Sequence, residues 1–470
     1  MAMPALHYQR AALRAVGALL LLLSLSPAGA QPVELAGTMP EDYFPELKGI
    51  LETAFQRSPQ MIAAEFDRTL ADLRITSADA GRLPNIGGNL NYGNNQTAIS
   101  SNTDSRTRDS GLFYNISVTQ PLFHWRALQN QSASARLNQL IARKSYDRAI
   151  RDLAVILRKA YLALVVEKAR LRAANDVLQL MRNDVAVTAE KKERGTVSSA
   201  TLEGDKLRVR EVQLDVDRVA TEFEANRKRF ARLAGLGTAA FPEAALPSEI
   251  PAPKYSADLA AALVAAVMRN EAKSTFEYEI SDLRVRDAML RISSEKVRLY
   301  PKFFASAGYS LENSTNINGN SVNQQGIQRQ TISVYAQWSI FDGFATRAAI
   351  REALASKRVQ ERLQQADVEG LLQNIQILER YLKQDAEQVE LSGIRHGMAI
   401  EGSKIVAREV EFGNAPKGDL EKAVSTIRQA EAKSMESRAT LLGRWCDLVS
   451  LTCADPVLSK PSSRHVPATK

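Results

Sequence analysis

The chain has 470 residues, 24% of them charged and 6% aromatic, with a formal net charge of +8. That length holds two or three ordinary domains, and the composition suits long amphipathic helices better than a compact all-β enzyme. Acids and bases are interspersed throughout, with no concentrated basic stripe of the kind a nucleic-acid footprint needs.

Residues 1–30 read as a signal peptide. Arg10 and Arg14 give a positive start, Ala15 to Leu25 an apolar core, and Ala28-Gly29-Ala30 a small-residue cleavage site. Residue 31 is Gln, so no lipid anchor is expected on a mature N-terminus. No later stretch reaches the roughly 18 apolar residues of a spanning helix. A membrane location would therefore have to come through strands.

Helical spacing runs over about 45–80 (Leu47, Ile50, Leu51, Ala54, then Met61, Ile62, Phe66, Leu70, Leu73) and stops at Leu83-Pro84. Alternation follows over about 85–93, with Ile86, Leu90 and Tyr92 on one side and Gly87, Asn89 and Asn91 on the other. An Asn/Ser/Thr/Gly stretch, 93–110, reads as a loop. A second alternating strand covers about 111–123. From Trp125 the period changes to that of a helix, with no Pro or Gly from 126 to 194. Such a run makes a rod of about 100 Å and suggests a coiled coil. Gly195 breaks it, and a helix over about 200–234 follows. A Pro-rich linker, 236–255, closes the unit.

The pattern then repeats: a helix over about 257–299, strands over about 302–312 and 330–341 around a polar loop, and helices over about 345–411 and 416–450. Ile332 answers Tyr114, Gly413 answers Gly195 and Leu420-Glu421 answers Leu202-Glu203, each 218 residues on. The expected organisation is two tandem helix–strand–strand–helix repeats, 31–252 and 253–453, followed by a disordered tail, 454–470.

Each repeat supplies two strands, so one chain supplies four. Four strands cannot close a barrel, and an open edge cannot sit in lipid. The small or polar alternate faces suggest a wide wet lumen, which favours a twelve-stranded barrel from a homotrimer over an eight-stranded one. The helices leave the same strands, so the tube should continue as a periplasmic α-helical barrel. Pro121 and Gly343, with Phe123 and Phe341 beside them, are the candidate bends at the barrel–helix junction. Gly195 and Gly413 suit left-handed turns. Cys446 and Cys453 are the only cysteines; a disulfide between them requires the helix to end between them. No metal-binding His spacing, phosphate loop or nucleophile elbow occurs, so neither an enzyme nor a cofactor is expected.

The ordered set resembles the TolC-like outer-membrane efflux protein family. It comprises the signal peptide, the duplicated hairpins and the junctions Gln120-Pro121-Leu122-Phe123 and Ser339-Ile340-Phe341-Asp342-Gly343. The turns Gly195-Thr196-Val197 and Gly413-Asn414-Ala415, followed by Leu202-Glu203 and Leu420-Glu421, complete it. The resemblance implies an outer-membrane channel-tunnel for efflux or type I secretion. It would carry small molecules or proteins from a periplasmic adaptor and an inner-membrane pump. It further implies that the two turns form the periplasmic tip and touch the adaptor, and that acids nearby narrow the pore. Asp419 stands where the family often has an acid; its next acid is replaced by Lys422, leaving Glu421 as substitute or as an outward group. Thr201 and Glu203 are the counterparts in the first repeat. Alternatively, Asp419 is an ordinary acid at a helix start. The competing functional readings are a passive porin and a coiled-coil envelope protein without a pore.

Overall fold

The computed structural model describes residues 38–99, 105–318 and 321–459. The signal peptide and the end of the expected tail lie outside the described residues. The described part is a four-stranded sheet prolonged by long helices.

Helix α1 (Pro40–Tyr43) leads into α2 (Pro45–Arg57) and α3 (Pro59–Ala80). The single helix expected over 45–80 is therefore two. Pro59 lacks an N–H and forces Ser58 into extended backbone, with φ −62° and ψ 135°. Strands β1 (Asn85–Ile99) and β2 (Ser105–Phe123) follow. Then come α4 (Ala127–Glu193) and α5 (Ser199–Leu233). The helix expected over 257–299 is likewise two, α6 (Ala257–Arg269) and α7 (Phe276–Lys296). Glu271 and Ala272 take positive φ between them, and Thr275 caps α7 by accepting from the Tyr278 N–H. Strands β3 (Lys302–Asn318) and β4 (Ser321–Gln337), then α8 (Ala345–Glu411) and α9 (Lys417–Leu451), complete the order.

The four strands form one antiparallel sheet in the order β1-β2-β3-β4. They are longer than the alternation indicates. The segments expected as loops, 93–110 and 313–328, largely continue the ladder, with Thr97 opposite Thr107 and Asn316 opposite Asn323. Backbone pairing needs no apolar face, so a strand can run on after its alternation has ended. β4 in turn stops at Gln337 rather than 341.

The two long helices α4 and α8 have 67 residues each, and α5 and α9 have 35 each. Buried positions recur between the long pair: Leu153 with Leu371, Leu157 with Ile375, and Leu164 with Leu382. Near the sheet the helices lie side by side as α3-α4-α7-α8. Beyond the midpoint α5 and α9 replace α3 and α7, giving α5-α4-α9-α8.

Rods of this length have little core of their own, and the core gathers at mid-height. One cluster joins Leu47 and Leu51 of α2 to Leu157, Tyr161 and Val165 of α4 and Phe223 and Phe230 of α5. The linker packs into it through Phe241, Leu246 and Ile250. A second cluster joins Leu263 and Val267 of α6 to Ile375 and Leu382 of α8 and Trp445 and Val449 of α9. The tail expected to be disordered from residue 454 begins instead with a fixed stretch. Asp455 is fully buried against Arg158, and Pro456–Ser459 forms a 3-10 turn.

Candidate functional site

At the end farthest from the sheet, α4 turns into α5 and α8 into α9 by the same geometry. Gly195 and Gly413 both have φ +76°. The Gly195 N–H bonds to Lys192 O at 2.8 Å and the Thr196 N–H to Lys191 O at 3.0 Å. The Gly413 N–H bonds to Val410 O at 3.1 Å and the Asn414 N–H to Glu409 O at 2.8 Å. These crossed bonds satisfy the last carbonyls of each rod and require a residue at ease with positive φ. The helices that restart differ. Ser198 caps α5 by accepting from the Thr201 N–H at 3.1 Å, whereas Pro416 offers α9 no side-chain cap. Val197 and Ala415 are half-buried within the turns.

The tip acids are solvent-facing in the single chain. Asp419 lies 3.5 Å from Lys422, so the residue that replaces the expected second acid pairs with the first. Glu421 accepts from Asn183 of α4 at 2.9 Å. Glu203 pairs with Lys206 at 2.8 Å, which holds its carboxyl below the usual range. Thr201 is exposed, its hydroxyl 2.9 Å from that of Ser198. The four side chains thus occupy one end of the molecule without meeting in one cluster.

Sequence reasoning missed a polar seam between α4 and α9. Lys159 meets Asp447 at 2.5 Å, Arg170 meets Glu436 at 2.9 Å, and Asp176 meets Arg428 at 3.8 Å. Asn183 with Glu421 is the last rung before the tip. The sequence numbers of the partners fall on one helix as they rise on the other. That antiparallel register was legible only after the two helices were known to be neighbours.

At the junction the left-handed residues are Trp125 (φ 53°) and Arg126 (φ 66°) in the first repeat, and Gly343 (φ 65°) and Phe344 (φ 67°) in the second. Gly343 takes the left-handed conformation at the second junction. Pro121 does not bend the chain; it lies in β2 opposite Phe304, and the bend comes four residues later. Pro121 instead flanks a bulge, since Pro121 and Phe123 oppose the adjacent residues Phe304 and Phe303. A missing N–H is tolerated where the ladder is interrupted. Trp125 is pinned by its indole N–H, which donates to Pro301 O at 2.8 Å. Its ring meets Phe123 and Tyr300 edge-on at 4.9 and 5.1 Å. In the second repeat Phe341 meets Phe344 at 5.4 Å, and Asp342 accepts from the Thr346 N–H and hydroxyl.

The register gives the sheet two unlike faces. Ile86, Val118, Ala307 and Ile332 are successive neighbours on one, and Gly87, Ser117, Gly308 and Thr331 on the other. The first face is open to solvent in the single chain: Ile86 is 72% exposed and Ile332 91%. On the second, Ser306 and Ser333 hydrogen-bond at 2.8 Å.

The disulfide that the two cysteines could have formed is absent; Cys446 and Cys453 are free. α9 does end between them, at Leu451. Cys446 nonetheless points into the second core cluster, where burial pushes its thiol well above the ordinary range. Cys453, at φ 55°, turns away towards Arg151 and the Phe276 N–H. Among the described residues no group of three or more His, Cys, Asp or Glu is placed to hold a metal. No described helix is long and apolar enough to cross a membrane.

The outer membrane efflux protein family profile matches residues 50–236 and 281–453. Among curated proteins no significant match is found. Several solved structures share the fold. The outer membrane protein VceC of Vibrio cholerae matches at 15% identity and a TM-score of 0.62, over 88% of this chain and 97% of its own. The CmeC outer membrane channel of Campylobacter jejuni matches at 12% identity and a TM-score of 0.66, over 89% and 88%. The open-state MtrE outer membrane channel of Neisseria gonorrhoeae matches at 16% identity and a TM-score of 0.62, over 90% and 93%.

Proposed function

Because the chain belongs to the outer membrane efflux protein family, we propose that three copies close into one conduit. Its twelve-stranded β-barrel would lead into a helical tunnel that passes exported molecules to the cell exterior. The protein sits in the outer membrane with its helical part in the periplasm. In this reading residues 31–252 and 253–453 are two copies of one structural unit.

The observation that carries the reading is that the single chain has two open edges at every level. β1 and β4 are the sheet edges. Near the sheet the outer helices are α3 and α8, and both expose apolar side chains. On α3 these are Ile62, Phe66, Leu70 and Leu73; on α8, Leu354, Val359 and Leu363. Towards the tip the outer helices are α5 and α8, with Leu207 and Leu214 on one and Leu391, Ile394 and Met398 on the other. Two different edges that fit each other make a head-to-tail contact, which closes into a ring when the rotation permits. A barrel edge left open in lipid would strand a row of backbone N–H and C=O groups. The small and polar sheet face then lines the lumen, and the apolar face meets lipid.

The tip turns at Gly195-Thr196-Val197 and Gly413-Asn414-Ala415 would receive a periplasmic adaptor that couples the tunnel to an inner-membrane pump. Asp419 and Glu421, with Thr201 and Glu203, would line the narrow end. Their exposure and their place at the far end of both rods support this. The test is reconstitution of the purified protein in a planar bilayer, with gel migration before and after heating. Discrete conductance steps and a heat-sensitive trimer are expected. A non-conducting monomer would overturn the reading. Cross-linking from the two turns to purified adaptor tests the partnership separately.

A further inference from the structure

Four helix ends meet the sheet, and each carries an exposed cation outside any ion pair among the described residues. Arg82 follows α3, Arg126 precedes α4, Lys296 ends α7 and Arg347 stands in the first turn of α8. The acids at the same height are already engaged. Asp79 accepts from Ser132 and faces Arg136, with Arg82 beyond ion-pair distance, Glu295 pairs with Arg298 at 3.5 Å, and Asp342 is held by Thr346. Neither α4 nor α8 has an acidic residue in its first turn. At the starts of α4 and α8, Arg126 and Arg347 gain nothing from their own helix ends, which favour negative charge there, while Arg82 and Lys296 stand at the C-terminal ends of α3 and α7, which favour cations.

An aromatic tier lies immediately on the sheet side of these cations. Phe123, Trp125, Tyr300 and Phe303 form it in the first half, and Trp338, Phe341 and Phe344 in the second. Phe303 belongs to the apolar face through its pairing with Ala336, and Trp338 continues that face two residues further on. Trp338 is 59% exposed and Phe341 70%. Amphipathic aromatic rings collect at the headgroup level of a bilayer. A cation one residue beyond such a ring, as Arg126 is beyond Trp125, reaches the phosphate layer.

We propose that this collar binds anionic phospholipid headgroups of the periplasmic leaflet, with Arg82, Arg126, Lys296 and Arg347 as the phosphate-facing groups. The proposal rests on the barrel reading above, which puts the apolar face in lipid. The partner is defined by net charge. A zwitterionic headgroup carries its own ammonium and leaves the collar unneutralised, whereas a phosphatidylglycerol headgroup does not. Each cation near an anionic surface is worth roughly a fivefold change in partition. Closing the ring would bring three sets of four to the same height.

The protein carries its own probe. Two of its three tryptophans, Trp125 and Trp338, lie in the tier, and the third, Trp445, is buried in the second core cluster. The full-length mature protein is reconstituted in vesicles of brominated phosphatidylcholine, which quenches tryptophan at the lipid contact. Unbrominated phosphatidylglycerol is then titrated in. Relief of quenching beyond simple dilution gives the relative association constant of the anionic lipid. A constant of at least about threefold over phosphatidylcholine is expected. It should fall to about one in the variant combining Arg82→Gln, Arg126→Gln, Lys296→Gln and Arg347→Gln. Two double variants, Arg82→Gln with Lys296→Gln and Arg126→Gln with Arg347→Gln, should each give an intermediate value and serve if the fourfold variant does not assemble. Lysine at the three arginine positions should retain the preference.

A wild-type constant of one, or a preference untouched by the charge variants, overturns the proposal while leaving the barrel intact. Competition by soluble glycerophosphoglycerol as effective as by the lipid would mean a free phosphate site and overturns it too. No quenching by brominated phosphatidylcholine would instead show that the aromatic tier is out of lipid, and the barrel reading would fall first.

Discussion

Asn183 on α4 donates its side-chain amide to Glu421 on α9 at 2.9 Å, and the two residues form the last polar rung of the seam before the tip. The rungs above it are charge pairs at Lys159–Asp447, Arg170–Glu436 and Asp176–Arg428. An exposed hydrogen bond of this kind contributes roughly 0.5–1 kcal/mol. Glu421→Ala should therefore leave the melting temperature nearly unchanged. It should loosen α9 from α4 where the rods are least supported, and single-channel conductance should rise. Unaltered conductance would show that this rung does not set the tip aperture.

Asp419 and Lys422 make a contrasting pair of predictions. Lys422 partly neutralises Asp419 across 3.5 Å. If three Asp419 carboxylates face one pore, Asp419→Ala should lower cation selectivity, measured as a reversal potential in a salt gradient. Lys422→Gln should raise it, because the carboxylate loses its counter-charge. A helix-start acid facing outward would leave both reversal potentials where they were.

The tip glycines and Gly235 should respond differently to the same substitution. A Cβ at Gly195 or Gly413 meets nothing within 4 Å, so Ala there is penalised only by positive φ, about 1 kcal/mol. At Gly235, with φ +69°, a Cβ would lie 2.6–2.8 Å from the backbone and Cβ of Arg57. Gly235→Ala must also displace α2 and should cost visibly more. Equal melting shifts for the three variants would contradict this.

Much of this architecture was legible because it rests on local period. The 67-residue rods read as uninterrupted helical spacing, and the two tip turns as single glycines at the ends of those rods. What was not legible depends on partners distant in sequence. The strands outlast their alternation because pairing of polar residues leaves no mark on one strand alone. Trp125 and Arg126 take positive φ with no glycine to announce it, held by an indole bond to Pro301, 176 residues away. Whether the two cysteines pair was not legible for a similar reason. Spacing along the chain says nothing of Cys446 packing inward and Cys453 turning towards Arg151.

Asp455 is a second case of a contact invisible in the sequence. Its carboxylate bonds to Arg158 at 2.5 and 3.1 Å, and Glu41 bonds the same guanidinium at 2.5 and 2.9 Å. Arg158 and Asp455 are fully buried, and Glu41 is 14% exposed. Burial disfavours the guanidinium charge, but the two carboxylates outweigh it and hold Arg158 protonated. Both ends of the described chain are thereby fastened to the middle of α4. Asp455→Ala leaves a buried charge half-paired and should cost about 3–5 kcal/mol. Glu41→Gln should cost less, because water reaches that partner. Denaturant melts of the two variants decide the order, and a larger loss for Glu41→Gln would contradict it.

Glu167 offers a stability change of the opposite sign. One carboxylate oxygen accepts from Asn226 at 2.7 Å; the other is buried with no hydrogen-bond partner among the described residues. Burial pushes its carboxyl above the ordinary range, against the smaller opposing effects of Asn226 and Arg170. A carboxyl raised by folding binds its proton more tightly in the folded state than in the unfolded one. Stability therefore falls as pH rises from the unfolded to the folded pKa, and the penalty is complete above the latter. Glu167→Gln removes the buried charge while keeping an acceptor for Asn226. The variant should melt higher than the wild type at pH 7. That advantage should shrink as the pH is lowered through the folded pKa towards the ordinary glutamate range, where the wild-type side chain is itself neutral. Melting curves across that range test the sign directly, and a lower melting temperature for Glu167→Gln at neutral pH would show that the charge is stabilising.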